Sequence, residues 1–124
     1  MYKRQVLGGR LVSVQNQFSP AFRSSQGELE HCASRGIAFL PWSPLGGISN
    51  AADLGSKHAV FAEVAADRGV SPQRVTLAWE LALADVVIPI PGSSRPASIQ
   101  DSLAAADLEL TADEIARLSE GARS

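Results

Sequence analysis

The sequence predicts an α/β fold with a parallel sheet, and three observations predict it. Three short stretches, RLVSVQ from Arg10, GIAFLPW from Gly36 and DVVIPIP from Asp85, are apolar and rich in Val, Ile and Leu. Such runs suit strands buried on both faces of a parallel sheet. Each is followed by a polar loop and then by helical periodicity, the alternation of an α/β architecture. The composition agrees: 124 residues, 45% hydrophobic and of formal net charge -2, fall in the range of an ordinary soluble domain or part of one.

After the first strand, QGELEHCASRG reads as a helix closed by Gly36, a residue that takes the left-handed conformation of a helix C-cap without strain. Leu29, Cys32 and Ala33 share its apolar face, so the single cysteine, which has no intrachain partner, is read as core. After the second strand, SKHAVFAEVAADRG has Ser56 as candidate N-cap, Val60, Phe61, Val64 and Ala65 on one face, and Gly69 as its stop. The next helix opens at SPQR, with Ser71 as N-cap and Pro72 at the first position, where its missing N–H costs nothing. Val75, Ala78, Trp79 and Ala82 form its expected buried stripe. Near the C-terminus, Thr111 and Glu114 have the spacing of a capping box and open a terminal helix.

Right-handed crossovers place the loops that follow parallel strands on one rim. NQFSPAFRSS, SPLGGISNAADLG and PGSSR therefore share a face. The third delivers small polar residues, backbone N–H groups and Arg95 to the first turn of a helix, which is the making of an anion site. A doubly wound dinucleotide fold would carry Gly-x-Gly-x-x-Gly after an early strand, and Gly46-Gly47 lacks that spacing. Part of a (β/α)8 TIM barrel fits better, because barrels bind phosphate with the loops after their last two strands and a following helix N-terminus. The expected architecture is thus the last three parallel strands of such a barrel with their helices.

The charge balance excludes a general field for nucleic acid or acidic membranes, and any anion site must be local. No apolar run approaches the roughly 18 residues of a membrane span, and the N-terminus has no secretory apolar region, so a cytoplasmic protein is the expectation. His31 and His58 have no ligand at metal-binding spacing and are expected on helix surfaces. Asp85, Asp107 and Glu109 read as element boundaries.

In order and spacing, VSVQNQFSP, LPWSPLGG, VSPQRVTLAWELA and IPIPGSSRPASIQDSLAAADLELTADEI resemble the C-terminal half of an aldo-keto reductase, from about Gly9 to about Leu118. The resemblance implies an NADP(H)-dependent oxidoreductase that reduces small aldehydes or ketones, with NAD(H) as the alternative cofactor and neither metal, membrane nor nucleic acid as partner. Gln15 matches the amide that pairs with the nicotinamide carboxamide, and Trp42 the aromatic ring that stacks on it. Ser43, Leu45 and Gly46 match the loop over the pyrophosphate. Gly92, Ser93, Ser94 and Arg95 match the segment that holds the 2′-phosphate, with Ser93 as hydroxyl donor and Arg95 as cation. Gly92 stands where some members carry lysine, and Ser98 where some carry arginine. Asp101 and Ser102 stand where the family has Glu-Asn at the adenine.

The family's catalytic Asp, Tyr, Lys and His lie on strands before the matched segment, and here the only Tyr is Tyr2 and the only lysines are Lys3 and Lys57. No catalytic residue is assigned, and the chain by itself is expected to be inactive. Residues 1–8 read as a non-native or disordered leader before a barrel portion at 9–124. MYKRQ, back-translated as GTG-TAT-AAG-AGA-CAG, resembles the tag of transposase-based sequencing libraries, with a naturally truncated gene as the alternative. Other functional readings are a nucleotide-binding regulatory module of the channel β-subunit type and a nonfunctional remnant. Three barrel strands alone would leave two sheet edges unpaired and their inner face uncovered, so aggregation, oligomerisation or partial folding is expected.

Overall fold

The computed structural model describes residues 8–46 and 58–123. Their elements run β1 (Ser13–Gln17), α1 (Gln26–Arg35), β2 (Ala38–Trp42), α2 (Ala59–Arg68), α3 (Pro72–Leu83), α4 (Pro96–Leu103), a 3-10 turn (Ala104–Asp107) and α5 (Ala112–Gly121). The expected leader at 1–8 lies outside the described residues except for Gly8.

β1 and β2 pair in parallel, with Ser13 opposite Ala38 and Gln17 opposite Trp42. The third expected strand is reduced to two isolated parallel bridges, Phe39 with Val87 and Trp42 with Ile90. The cause is one residue. Phe39 N–H donates to the Val86 carbonyl at 2.8 Å, Ile88 N–H to Phe39 at 2.9 Å and Ile90 N–H to Pro41 at 3.1 Å. The bond between these needs an N–H at Pro41, which proline lacks, so the ladder is interrupted there. Along the opposite side of the same segment, Val87 N–H turns back to the Ala84 carbonyl at 3.1 Å, and Pro89 and Pro91 have no N–H.

Side chains alternate across the sheet, and only one face is packed. Phe39 and Val87 lie in a core shared with Phe18, Phe61, Trp79 and Leu118. On the other face Gln15 is exposed, and Trp42, Ile88 and Ile90 are 41%, 53% and 37% accessible. The expectation of strands buried on both faces is therefore corrected: among the described residues, helices cover one side only.

The caps follow the sequence closely. Gly36 and Gly69 both take φ of 64°, the left-handed turn that ends α1 and α2. Cys32 is fully buried, and burial pushes its thiol pKa up, with Glu28 adding to the shift. Phe61, Val64 and Ala65 are buried, but α2 begins after His58, and the expected cap Ser56 lies outside the described residues. The Ser71 hydroxyl accepts from Arg74 N–H at 3.0 Å at the start of α3. Thr111 and Glu114 each bond the other's backbone N–H, a complete capping box.

α3 is buried from Val75 to Glu80 without interruption, because its two flanks meet different partners. Val75 and Trp79 join the main core, while Leu77 and Ala78 pack with Ala105. Trp79 stacks on Phe18 at 6.1 Å, meets the edge of Phe61 at 5.6 Å, and donates its indole N–H to the Ser119 hydroxyl at 2.9 Å. Ala82, expected on the stripe, is exposed: it lies one turn beyond Trp79, past the cover these rings provide. The histidines also differ from expectation. Both are half-buried; His31 Nε2 is enclosed without a hydrogen-bond partner among the described residues, and His58 meets the Phe61 ring at 6.0 Å.

Candidate functional site

The third segment ends at Pro91, and the chain then runs through Gly92–Ser94 into α4, with Arg95 as its N-cap in extended conformation. Pro96 takes the first helical position, where fixed φ favours the helix and no donor is lost. Ser93 folds this entry on itself: its hydroxyl accepts from Arg95 N–H and donates to the Arg95 carbonyl, both at 3.2 Å. Residues 92 to 97 are all exposed.

Across from them, β2 passes into a turn closed by Gly46 N–H to the Ser43 carbonyl at 2.9 Å. Ser43 has φ of 51°, the one left-handed non-glycine among the described residues, and Gly46 has φ of 81°. A left-handed residue with a Cβ costs roughly 1–2 kcal/mol, and such strain concentrates where a loop is shaped for a task.

The two loops and the start of α3 enclose a cleft of about 680 Å3. Leu45, Gly92, Ser93, Ser94, Arg95, Asp101 and Ser102 line it, so seven of the eleven residues singled out in the sequence meet in one place. Gln15, Trp42, Ser43 and Gly46 are not on its wall. Gln15 and Trp42 instead share the open face of the sheet, on neighbouring strands, since Gln15 pairs with Leu40 and Trp42 with Gln17. Gln73 and Ser98 also line the cleft. Gln73 went unremarked in the sequence although its place was readable: it follows the Ser71 cap, in the first turn of a helix that runs from the loop rim.

Asp101 does not present a free carboxylate. Arg74 donates to its Oδ1 from Nε at 2.9 Å and from Nη2 at 2.7 Å, and the Ser71 hydroxyl donates to its Oδ2. The expected adenine contact is thus already engaged within the chain. Beside the cleft, an apolar groove of about 340 Å3 runs between Leu77 and Leu81 of α3, Ile88, and Ile99 and Leu103 of α4. It shares Ser93 and Ser102 with the cleft.

Among the described residues, no three His, Cys, Asp or Glu side chains converge as a metal site, and no helix is long and apolar enough to cross a membrane.

A family model described as "Aldo/keto reductase family" matches residues 5–122. An uncharacterized oxidoreductase of Schizosaccharomyces pombe, C215.11c, is 33% identical over 114 residues, 92% of this chain and 36% of that protein. Pyridoxine 4-dehydrogenase of Escherichia coli is 32% identical over 108 residues, 87% of this chain and 36% of that protein. Among solved structures, the thermostable aldo-keto reductase Tm1743 with the inhibitor epalrestat superposes with a TM-score of 0.81 at 23% identity, covering 95% of this chain and 43% of that one. A Gox0644 variant in complex with NADPH gives 0.75 at 22%, covering 95% and 41%. The chain spans about two fifths of the length of the proteins it matches, and it belongs to the aldo/keto reductase family of oxidoreductases.

Proposed function

We propose that this chain is the C-terminal, NADP(H)-binding portion of an aldo-keto reductase that reduces aldehydes or ketones. The observation that carries the reading is the cleft, which gathers residues from three distant segments, Leu45, Gln73 and Gly92–Ser102, around one exposed cation. The donor set suits a phosphorylated nucleoside. Arg95 supplies charge, Ser94, Ser98 and Ser102 supply hydroxyls, and Gln73 supplies an amide that donates and accepts, whereas Ser93, expected as the hydroxyl donor, already gives its one hydrogen to the Arg95 carbonyl. Arg95 sits at the N-terminus of α4, where the positive end of the helix dipole also favours an anion.

When bound, the nicotinamide dinucleotide supplies the hydride. In this reading the chain's own residues hold and orient it: Arg95 and Ser94 take the 2′-phosphate, Ser102 and Gln73 flank the adenosine, and the Ser43–Gly46 turn borders the pyrophosphate. Gln15 and Trp42, on the open sheet face, address the nicotinamide. Tyr2, Lys3 and Lys57 are the only residues of their types and none matches the family's catalytic pattern in sequence, so this reading assigns the chain a part in holding cofactor and no catalytic residue.

Titration with NADPH, followed by quenching of tryptophan fluorescence, tests the reading. Trp42 is accessible and Trp79 buried, so the response reports on the sheet face. Saturable binding is expected, weakened about 10- to 100-fold by Arg95→Ala, the effect of losing charge-assisted hydrogen bonds. Absence of saturable binding, or indifference to Arg95→Ala, would overturn it.

A further inference from the structure

Arg95 and Asp101 are the two charged residues on the cleft wall, and they are of opposite sign. Asp101 lies six residues beyond Arg95, about 9 Å along the axis of α4. Left bare, its carboxylate would repel any phosphate held by Arg95. It is not bare. The Arg74 guanidinium grips Oδ1 with two donors, and the Ser71 hydroxyl, which already accepts from Arg74 N–H, donates to Oδ2. Ser71, Arg74 and Asp101 form a closed ring of hydrogen bonds between the start of α3 and the body of α4. Arg74 and Asp101 have side chains only 29% and 26% accessible, so the pair is partly shielded from solvent.

We propose that Arg74 is a specificity-determining residue: by cancelling the Asp101 charge on the cleft wall, it allows a doubly charged phosphate to lie beside Arg95. The proposal rests on the dinucleotide reading above and extends it to a residue that does not itself line the cleft. Its signature is electrostatic. At a separation on the order of the 9 Å rise between these two backbone positions, a bare carboxylate weakens the binding of a phosphate of charge near −2 about fivefold, in a dielectric close to that of water and at low salt. A ligand without that phosphate is much less affected.

The test titrates NADPH and NADH against the full chain and three variants at low ionic strength, reading the ratio of the two affinities. Arg74→Gln lowers the preference for NADPH about fivefold. Asp101→Asn leaves Arg74 uncompensated and raises it by a similar factor. The double variant returns the ratio to that of the starting protein. Arg74→Lys, which keeps the charge without the fork, retains most of the preference. Equal loss of both ligands in Arg74→Gln, or a ratio that Asp101→Asn leaves unchanged or lowers, overturns the proposal while the dinucleotide reading stands. If the starting chain binds neither nucleotide, both fail. Should Arg74→Gln not fold, as judged by circular dichroism, the Asp101→Asn ratio decides alone.

Discussion

Replacing Glu80 with glutamine should stabilise this protein at neutral pH and flatten its stability against pH. Glu80 is 0% accessible on the packed side of α3, and neither carboxylate oxygen has a hydrogen-bond partner among the described residues. Burial raises its pKa well above the ordinary carboxylate value of 4.5, and the Arg23 charge opposes that only in part. Arg23 is itself committed elsewhere: it lies 5.0 Å from the Trp79 ring centroid and 5.4 Å from that of Phe18, and it donates to Gln26 Oε1 at 2.9 Å. The folded state therefore holds a proton that the unfolded chain releases near pH 4.5. Stability is greatest below that pH and falls as pH rises toward the folded pKa, by at most about 1.4 kcal/mol per pH unit.

Glutamine keeps the shape and removes the charge. An unsatisfied buried polar group still costs about 1–3 kcal/mol, so the gain at neutral pH is only the ionisation part, again on the order of 1–3 kcal/mol. Urea unfolding at a series of pH values from 4 to 8 reads it directly. Wild-type stability should decline across that range and the Glu80→Gln curve should run level, crossing above it. A wild-type curve that is flat or rising from pH 5 to 7, or a variant equally destabilised at every pH, would refute the reasoning.

Two further predictions concern the periphery of the core. Glu114 is held at a pKa of about 2, chiefly by its hydrogen bonds from Arg68, at 2.6 and 2.7 Å, and then from Thr111 N–H. Because that folded value is depressed, the stabilisation is present above pH 4.5 and disappears as pH falls toward 2; Glu114→Gln should remove this acid-side loss in a pH series of thermal melts. At Gly121, an added Cβ would stand 2.2 Å from Val60 Cγ1, so Gly121→Ala should destabilise by about 1–3 kcal/mol even though alanine is the better helix former. Adding Val60→Ala should recover most of that loss in urea titrations, and failure to recover would place the cost elsewhere.

Legibility divided along physical lines. The helix ends were readable because capping is local: Gly36, Gly69, Ser71, Pro72 and the Thr111–Glu114 box all act within a few residues of themselves. The interruption of the third strand is not legible locally, because its own composition suits a strand and the cause lies in its neighbour. Val86, Ile88 and Ile90 suit a strand, but the missing donor belongs to Pro41, 45 or more residues earlier. Most of the cleft was legible through the resemblance, since Gly92–Arg95 and Asp101–Ser102 form nearly one continuous stretch. The Arg74–Asp101 grip spans 27 residues and has no periodic or motif signal. Glu80 was hidden for a related reason: a carboxylate amid a buried run contradicts amphipathic patterning, and only packing on both flanks of α3 encloses it.

The prolines that break the third strand also bear on how this chain behaves at high concentration. A sheet rim recruits other chains by offering a row of unsatisfied amides, and the outward side of the 86–91 segment offers almost none. Val87 N–H is spent on Ala84, and the next two outward positions are Pro89 and Pro91. Growth by strand addition is therefore blocked on that rim, by the prolines of the segment itself.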